Sequence, residues 1–465
     1  MNPDTSLDGP TRREIESFVA DWVAEHDVPG AALVVVDGDE TVYADGFGAR
    51  DLAAEDPATP DTRFGIASVT KSVTAVAVQQ LAARGDLALD DFVGEYVPRL
   101  GFPDDPVSVA DLLSHTSGMP SDGASIAHIS RALDVDPNTA PLSSETDRRR
   151  HVDDAKGDRT TSDPHTHIRS EERPFFYYNT GYTILGEVVE AVDGRPFRRY
   201  VEEEVLDPLR MAHSGFDPDT EDAAVPYYHD PETGDLERGD FPAKGTGAAG
   251  GLLSTATDLG RYLRFHLTGN TGVLPDERRH ACHEGHATRE TRLDGSEQQY
   301  GYGWMREPFL DDTLVSHSGT LTVSSAFAGF REGAEVGVGL LASTVPDVHP
   351  SAVGRGVLAL LDGTSPDEAV ARFGLDAKFD AVTGQYASHR GIQRATVERE
   401  HGGVRVDFDN ALGGETLVAF PETSDPDDYR FYTSTADGAH VPLTFEETDD
   451  GFDLFYRRWR LHGST

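Results

Sequence analysis

The chain of 465 residues holds one cysteine, four lysines and no long apolar run. A single cysteine, Cys282, excludes an intrachain disulfide framework. No apolar stretch approaches the roughly 20 residues that a membrane-spanning helix needs. The opening, MNPDTSLDGPTRREIESF, lacks a basic start, a small-residue cleavage site and the apolar stretch of about 7–15 residues of a secretory leader, so it reads as a soluble cytoplasmic chain. Positive charge is scarce as well. Lys plus Arg number 40 against 82 Asp plus Glu, a net charge of -42 spread along the whole length. Such a surface repels nucleic acid and anionic membrane, which excludes both as partners. It also strains the folded state unless cations screen it, and with so little lysine this implies a high-salt cytoplasm.

Against these absences the local patterns are rich. Thr11 and Glu14 form a capping-box pattern, and Ile15, Phe18, Val19, Trp22 and Val23 recur at helical spacing up to "DVPG". Strands at 31–37 and 41–46 flank an Asp37-Gly38 turn, a hairpin signature. The stretch GIASVTKSVTAVAVQQLAARG, 65–85, then reads as a helix with Val69, Val73, Val76, Ala77 and Leu81 as its buried stripe and Gly85 as its stop. Strands are expected at 314–320, 324–332 and 336–344, and a helix at 352–363. A helix, a hairpin and a second helix argue for an antiparallel sheet covered by helices, an α+β class, with a mainly helical lobe inserted at about 85–300. Residues 121–173, rich in Asp, Arg, Ser, Thr and His, are expected as a long, partly disordered insertion with one helical patch at SIAHISRALDV. From 377 to 465 about seven short alternating runs predict a separate all-β barrel, with 364–376 as linker and 1–363 as the first domain.

The chemistry centres on Ser68 and Lys71. Residues three apart on a helix are neighbours, so the amine reaches the hydroxyl. A serine hydroxyl becomes nucleophilic only when a base takes its proton, and a lysine serves only where burial or cationic neighbours lower its pKa. A helix N-terminus offers backbone N–H groups to a developing oxyanion. Lys156, Lys244 and Lys378, by contrast, fall in stretches that read as loops or linkers. Further along, Tyr177 and Asn179 precede an apolar helix, and His317, Ser318 and Gly319 sit on a strand where the glycine would let a substrate backbone approach.

Ser68-Val-Thr-Lys71, Tyr177-Tyr-Asn179 and His317-Ser-Gly319 resemble the three motifs of the serine β-lactamase and penicillin-binding-protein superfamily, in its class C-like, esterase and D-peptidase branch. LLSHTSGMP (112–120), GAAGGLLSTATDLGRYL (247–263) and YGYGW (300–304) are similar to stretches of that branch, and the likeness covers about 15–360. The resemblance implies an antiparallel sheet flanked by helices plus a helical lobe, with the site between them. It implies Ser68 as acylated nucleophile, Lys71 as its base or proton shuttle, and Tyr177 as second general base and acid. Asn179, His317, Ser318 and Gly319 would bind substrate, and the backbone N–H groups of Ser68 and Thr320 would form the oxyanion hole. Where penicillin-binding proteins and class C enzymes usually carry a lysine, this chain has His317, which departs from the antibiotic-recognising pattern. The C-terminal segment resembles a lipocalin-like domain attached to some peptidases of the family.

The expectation is a serine hydrolase of small peptides, those with D-residues among them, or of carboxylic esters. β-Lactamase or penicillin-binding activity is the alternative within the class, and a non-catalytic ligand-binding sensor the alternative outside it. The substrate is a peptide or small molecule, the reaction needs no cofactor or metal, and the oligomeric state is left open. His280, Cys282, His283 and His286 in HACHEGH lack a paired ligand motif. The histidines of DPHTH and RRRH read as solvated loop, Ser114-His115 as structural and GAAGG (247–251) as a tight turn. Mutual repulsion among the carboxylates predicts a melting temperature that rises steeply with potassium chloride; a melting curve indifferent to salt would remove the habitat reading and leave the catalytic one in place.

Overall fold

The computed structural model describes residues 7–98, 107–118, 175–218, 220–230, 233–241, 247–269, 272–410 and 413–464. The expected insertion at 121–173, and with it Lys156, lies outside these residues, as does Lys244. The chain divides into two units, Met1–Thr291 with Glu297–Leu358, and Arg292–Ser296 with Ala359–Thr465. Among the described residues no helix is long and apolar enough to cross a membrane.

In the first unit α1 (Gly9–Glu25) begins earlier than the capping-box pattern predicts. The Asp8 carboxylate accepts the Thr11 N–H at 2.8 Å and so supplies the cap. Pro10 then occupies the first turn, where its missing N–H is no loss. Ile15, Val19 and Trp22 are buried, while Phe18 and Val23 are half-buried. The hairpin forms as expected from β1 (Gly30–Asp37) and β2 (Glu40–Asp51), which runs on past 46. Next come β3 (Asp56–Pro57) and two short ribbons, β4 (Phe64–Gly65) with β7 (Leu253–Ser254) and β5 (Tyr227–His229) with β6 (Leu236–Arg238).

The remaining strands are β8 (Ala287–Thr291), β9 (Glu297–Tyr300), β10 (Met305–Phe309), β11 (Asp312–Leu321), β12 (Ser324–Arg331) and β13 (Val336–Ala342). Together with β1 to β3 they form one nine-stranded sheet in the order β3-β2-β1-β13-β12-β11-β10-β9-β8. Strands from the two ends of the unit meet at its centre, where Leu33 lies opposite Leu340 in an antiparallel pair. β1 is buried from Gly30 to Val36 because both faces are covered, which explains its unbroken apolar run. The helix Ala256–Thr268 packs on β1 and β13. Phe327 meets Gly354 of the helix Pro350–Asp362, while Ala328 and Phe330 join the core of the helical lobe. The expected lobe boundary therefore shifts: β8 and β9, before residue 300, already belong to the sheet.

At the centre of the lobe stands α2 (Thr70–Arg84), ended by Gly85 in the left-handed conformation (φ 76°). A single buried stripe was expected, but every residue from Thr70 to Ala82 is buried. The helix is wrapped by Asn179–Asp193, Phe197–Val201, Gly247–Gly250 and Asp276–His283. Its polar side chains tolerate this because they are bonded: Gln80 donates to the carbonyls of Glu204 and Val273 at 2.9 Å each, and Thr74 to that of Ala248 at 2.7 Å.

The second unit contains a closed antiparallel barrel in which each strand pairs with the next and the last with the first. It comprises β14 (Gly384–Ala387), β15 (Gln393–Glu400), β16 (Gly403–Asn410), β17 (Gly413–Pro421), β18 (Arg430–Ser434), β19 (His440–Thr448), β20 (Gly451–Tyr456) and β21 (Trp459–Ser464). The sequence suggests about seven strands because FDLFYRRWRL conceals a hairpin. Tyr456 pairs with Trp459 around Arg457-Arg458, with Arg457 at φ 52°, a turn made without glycine or asparagine. Helices Pro366–Ala369 and Ala371–Val382 occupy the stretch expected as linker. Lys378 is accordingly no loop residue; it is buried in that second helix and donates to the Thr423 carbonyl at 2.6 Å.

One long-range tie in the first unit is directly testable. The buried Trp22 indole N–H donates to the Val348 carbonyl at 2.8 Å, joining α1 to the segment after β13. Trp22→Phe removes the donor and is expected to cost about 1–3 kcal/mol, read as a lower urea midpoint in molar salt; an unchanged midpoint would count against this tie.

Candidate functional site

Ser68 lies in a single 3-10 turn, Ala67–Val69, that runs into α2, and Lys71 is in the first turn of the helix. Ala67, immediately before Ser68, has φ 47°, a conformation an L-residue enters only under constraint. The Lys71 side chain is fully buried. Its Nζ donates to Ser68 Oγ at 3.0 Å, to Asn179 Oδ1 at 2.6 Å and to the Ala249 carbonyl at 2.7 Å. Three acceptors meet the three hydrogens of an ammonium. The Tyr177 and Tyr182 rings lie 4.9 and 5.6 Å from the same nitrogen, adding their π-faces.

Three separate segments thus converge on one amine. Asn179 opens the helix Asn179–Asp193, and Ala249 belongs to Gly247–Gly250, a short helix rather than the expected tight turn. A side chain at Gly303 would place its Cβ 2.7 Å from the Lys71 carbonyl, so the YGYGW stretch can pack on α2 only with glycine there. The Asn179 carbonyl oxygen, which the resemblance directs toward a substrate amide, is engaged by Lys71.

The third motif comes from β11. β10 pairs with β11 only as far as Ser316, so His317–Leu321 keeps one backbone edge clear of β10. Gly319 faces the turn that bears Ser68: a Cβ there would stand 2.2 Å from the Ile66 carbonyl oxygen and 3.0 Å from the Ala67 side chain. The glycine therefore admits the protein's own backbone on this face of β11. Ser318 is half-buried and Thr320 exposed. His317 is only 2% exposed. Its Nδ1 bonds the Ser318 carbonyl at 2.7 Å, and since a carbonyl only accepts, Nδ1 carries the proton. Nε2 then accepts from the Tyr300 hydroxyl at 2.9 Å. Burial first, and the Lys71 charge second, push the His317 pKa down from 6.5 to about 3. The ring is neutral and holds Tyr300.

Sequence reasoning assigns His115 no part in this cluster. It is buried with φ 58°, its Nδ1 accepts the Tyr178 N–H at 3.1 Å, and its ring lies 4.3 Å from that of Tyr177 and 4.7 Å from that of Tyr300. Burial, then Lys71, holds its pKa well below the ordinary value. His115 thus fixes the chain at Tyr177 and Tyr178. The only signals for it are the similar stretch LLSHTSGMP and the scarcity of a reason for histidine in an apolar segment. The HACHEGH residues disperse: Cys282 is buried with its thiol pKa pushed up to about 12, His283 bonds His266 at 2.9 Å, and the His286 ring stacks on Tyr302 at 3.9 Å. Among the described residues no group of three or more His, Cys, Asp or Glu is arranged to hold a metal ion.

A buried Lys-Ser pair at a helix start, set against a glycine-bearing strand, is the arrangement of the β-lactamase fold. Residues 13–362 match the family model described as Beta-lactamase, and the chain belongs to this family. The family is one of hydrolases. Residues 366–462 match a model described as the Pab87 octamerisation domain. Among solved structures, the octameric penicillin-binding protein homologue from Pyrococcus abyssi is 31% identical with a TM-score of 0.86, covering 97% of this chain and 99% of that one. Esterase EstB of Burkholderia gladioli is 31% identical over 334 residues, 64% of this chain and 80% of the esterase. Protein flp of Staphylococcus aureus is 26% identical over 355 residues, 75% of this chain but 66% of its own length.

The buried neutral His317 has a pH signature. Between pH about 3 and 6.5 the unfolded chain binds a proton there that the folded protein does not, so its contribution is full above 6.5 and is lost as pH falls toward 3. The urea midpoint is expected to drop between about pH 7 and pH 4.5, and His317→Gln to make that drop smaller; an identical drop in the variant would show that His317 is not held neutral.

Proposed function

We propose that this chain is a serine hydrolase that cleaves an amide or ester bond through an acyl-enzyme on Ser68. The observation that carries the reading is the Lys71 amine, fully buried and 3.0 Å from Ser68 Oγ. In the first step Lys71, once it has shed one of the three hydrogens it carries at rest, takes the proton of Ser68 Oγ as that oxygen adds to the substrate carbonyl carbon. The carbonyl oxygen becomes an oxyanion facing the backbone N–H groups of Ser68 and Thr320. The C–N or C–O bond then breaks, and the leaving group takes a proton relayed through Lys71 and Tyr177. Water, deprotonated by the same pair, attacks the ester, and Ser68 recovers its proton as the acid departs. The β11 edge left uncovered by β10 supports this role for the Thr320 N–H.

Substrates are small peptides, those with D-residues among them, or carboxylic esters. An esterase among the relatives supports the ester arm. The neutral His317 offers no fixed charge where antibiotic-recognising relatives carry a lysine, which argues against a dedicated β-lactamase. The likeness of 366–462 to an octamerisation domain, and of the whole chain to an octameric homologue, supports self-association through the barrel.

A fluorophosphonate probe in molar salt is expected to label the wild type and not Ser68→Ala. Lys71→Met and Tyr177→Phe are expected to lower turnover of a p-nitrophenyl ester by about 10²–10⁴. An unlabelled wild type, or equal labelling of Ser68→Ala, would overturn the proposal.

A further inference from the structure

Behind the exposed end of β11 lies a histidine that no motif includes. His349 follows β13 and precedes the helix Pro350–Asp362. The Ser351 N–H donates to its Nδ1 at 3.1 Å, so Nδ1 is the unprotonated nitrogen. Nε2 must then carry the hydrogen, and it stands 3.1 Å from the Gly319 carbonyl oxygen and 3.1 Å from Thr320 Oγ1. The carbonyl can only accept, which independently requires the same tautomer. Burial lowers the pKa of His349, which keeps it neutral.

The consequence falls on Thr320. A hydroxyl has one hydrogen and two lone pairs. With a lone pair of Oγ1 turned toward His349, its hydrogen points elsewhere, and Thr320 is exposed. The same residue carries the N–H assigned above to the oxyanion, so the hydroxyl lies within one side chain's length of the carbonyl under attack. One residue then presents two donors, and a substrate matches both only if it has a second oxygen close to the scissile bond. Peptides have one, either a neighbouring peptide carbonyl or a free carboxylate; a simple alkanoyl ester has none.

We propose that His349 is a positioning residue that fixes the Thr320 hydroxyl as a donor to a second substrate oxygen, and thereby selects peptides over simple esters. The inference rests on the Ser68 reading. Its test compares a dipeptide, the same dipeptide as its amide, and p-nitrophenyl butyrate. Thr320→Val, which keeps the backbone N–H, and His349→Ala should each lower kcat/KM for the dipeptide about tenfold, and the double variant should lose no more than either alone. In His349→Ala, turnover of the butyrate should change less than about twofold. His349→Gln, whose amide N–H reaches the place of Nε2, should restore most of the loss. A loss confined to the free dipeptide assigns the oxygen to a carboxylate as a charged group; equal losses on dipeptide and amide assign it to the carbonyl oxygen that the terminal carboxylate and the terminal amide share. Losses that multiply in the double variant, or a butyrate rate that falls as far as the peptide rates, would overturn the proposal. If His349→Ala does not fold, Thr320→Val against Thr320→Ser carries the same comparison from a surface position. A wild type that the fluorophosphonate fails to label is a different failure, that of the Ser68 reading; a labelled enzyme with unaltered peptide preference in the variants sinks this inference alone.

Discussion

The site depends on holding one amine where water cannot reach it. Nζ of Lys71 has its three acceptors on three different segments, Ser68 on its own turn, Asn179 at a helix start and Ala249 in a short helix. A buried charge left without partners is costly, so each segment is held to its place by the same nitrogen. This explains why α2 is buried on every side, and why its polar residues find backbone carbonyls from three surrounding pieces of chain, at Glu204, at Ala248 and Ala249, and at Val273. The helix serves as the axle of the lobe because its first turn must stay dry and rigid.

The second constraint is closeness of backbone to backbone. Gly319 lets β11 lie against Ile66 and Ala67, and Gly303 lets the loop before β10 lie against Lys71. Between them the turn bearing Ser68 has no freedom to relax, and the left-handed Ala67 is the local record of that confinement. Histidines complete the mould from behind. His115 sets Tyr177 and Tyr178, His317 sets Tyr300, and His349 sets the end of β11, each as a neutral ring whose tautomer follows from its neighbours.

Much of this was legible beforehand. The Ser68-Lys71 spacing, the hairpin at β1 and β2, the strand run from β11 to β13 and the all-β end all follow from periodicity and turn chemistry, because those signals are local. The misreadings share a cause in long-range packing. Nothing in 70–82 announces burial on all faces, since Thr74 and Gln80 look like a solvent side until their carbonyl partners are folded against them. Lys378 looks like linker because the acceptor at Thr423 is remote in sequence. The eighth barrel strand is hidden because Arg457 takes a positive φ without glycine. Gly319 is recognisable as a close-approach position, but its fit against Ile66 and Ala67 is a property of the tertiary fold, and so is the Asp8 cap that displaces the Thr11 pattern.

The contact between Gly319 and the Ile66 carbonyl has an evolutionary corollary. The gap between the turn bearing Ser68 and β11 is gauged by main-chain atoms, and any side chain at position 319 would force it apart. Sequence drift is therefore steered away from this gap and onto neighbours that can change without closing it, such as the exposed Thr320. Relatives with the same catalytic geometry can part company in diet while their reacting atoms stay in register.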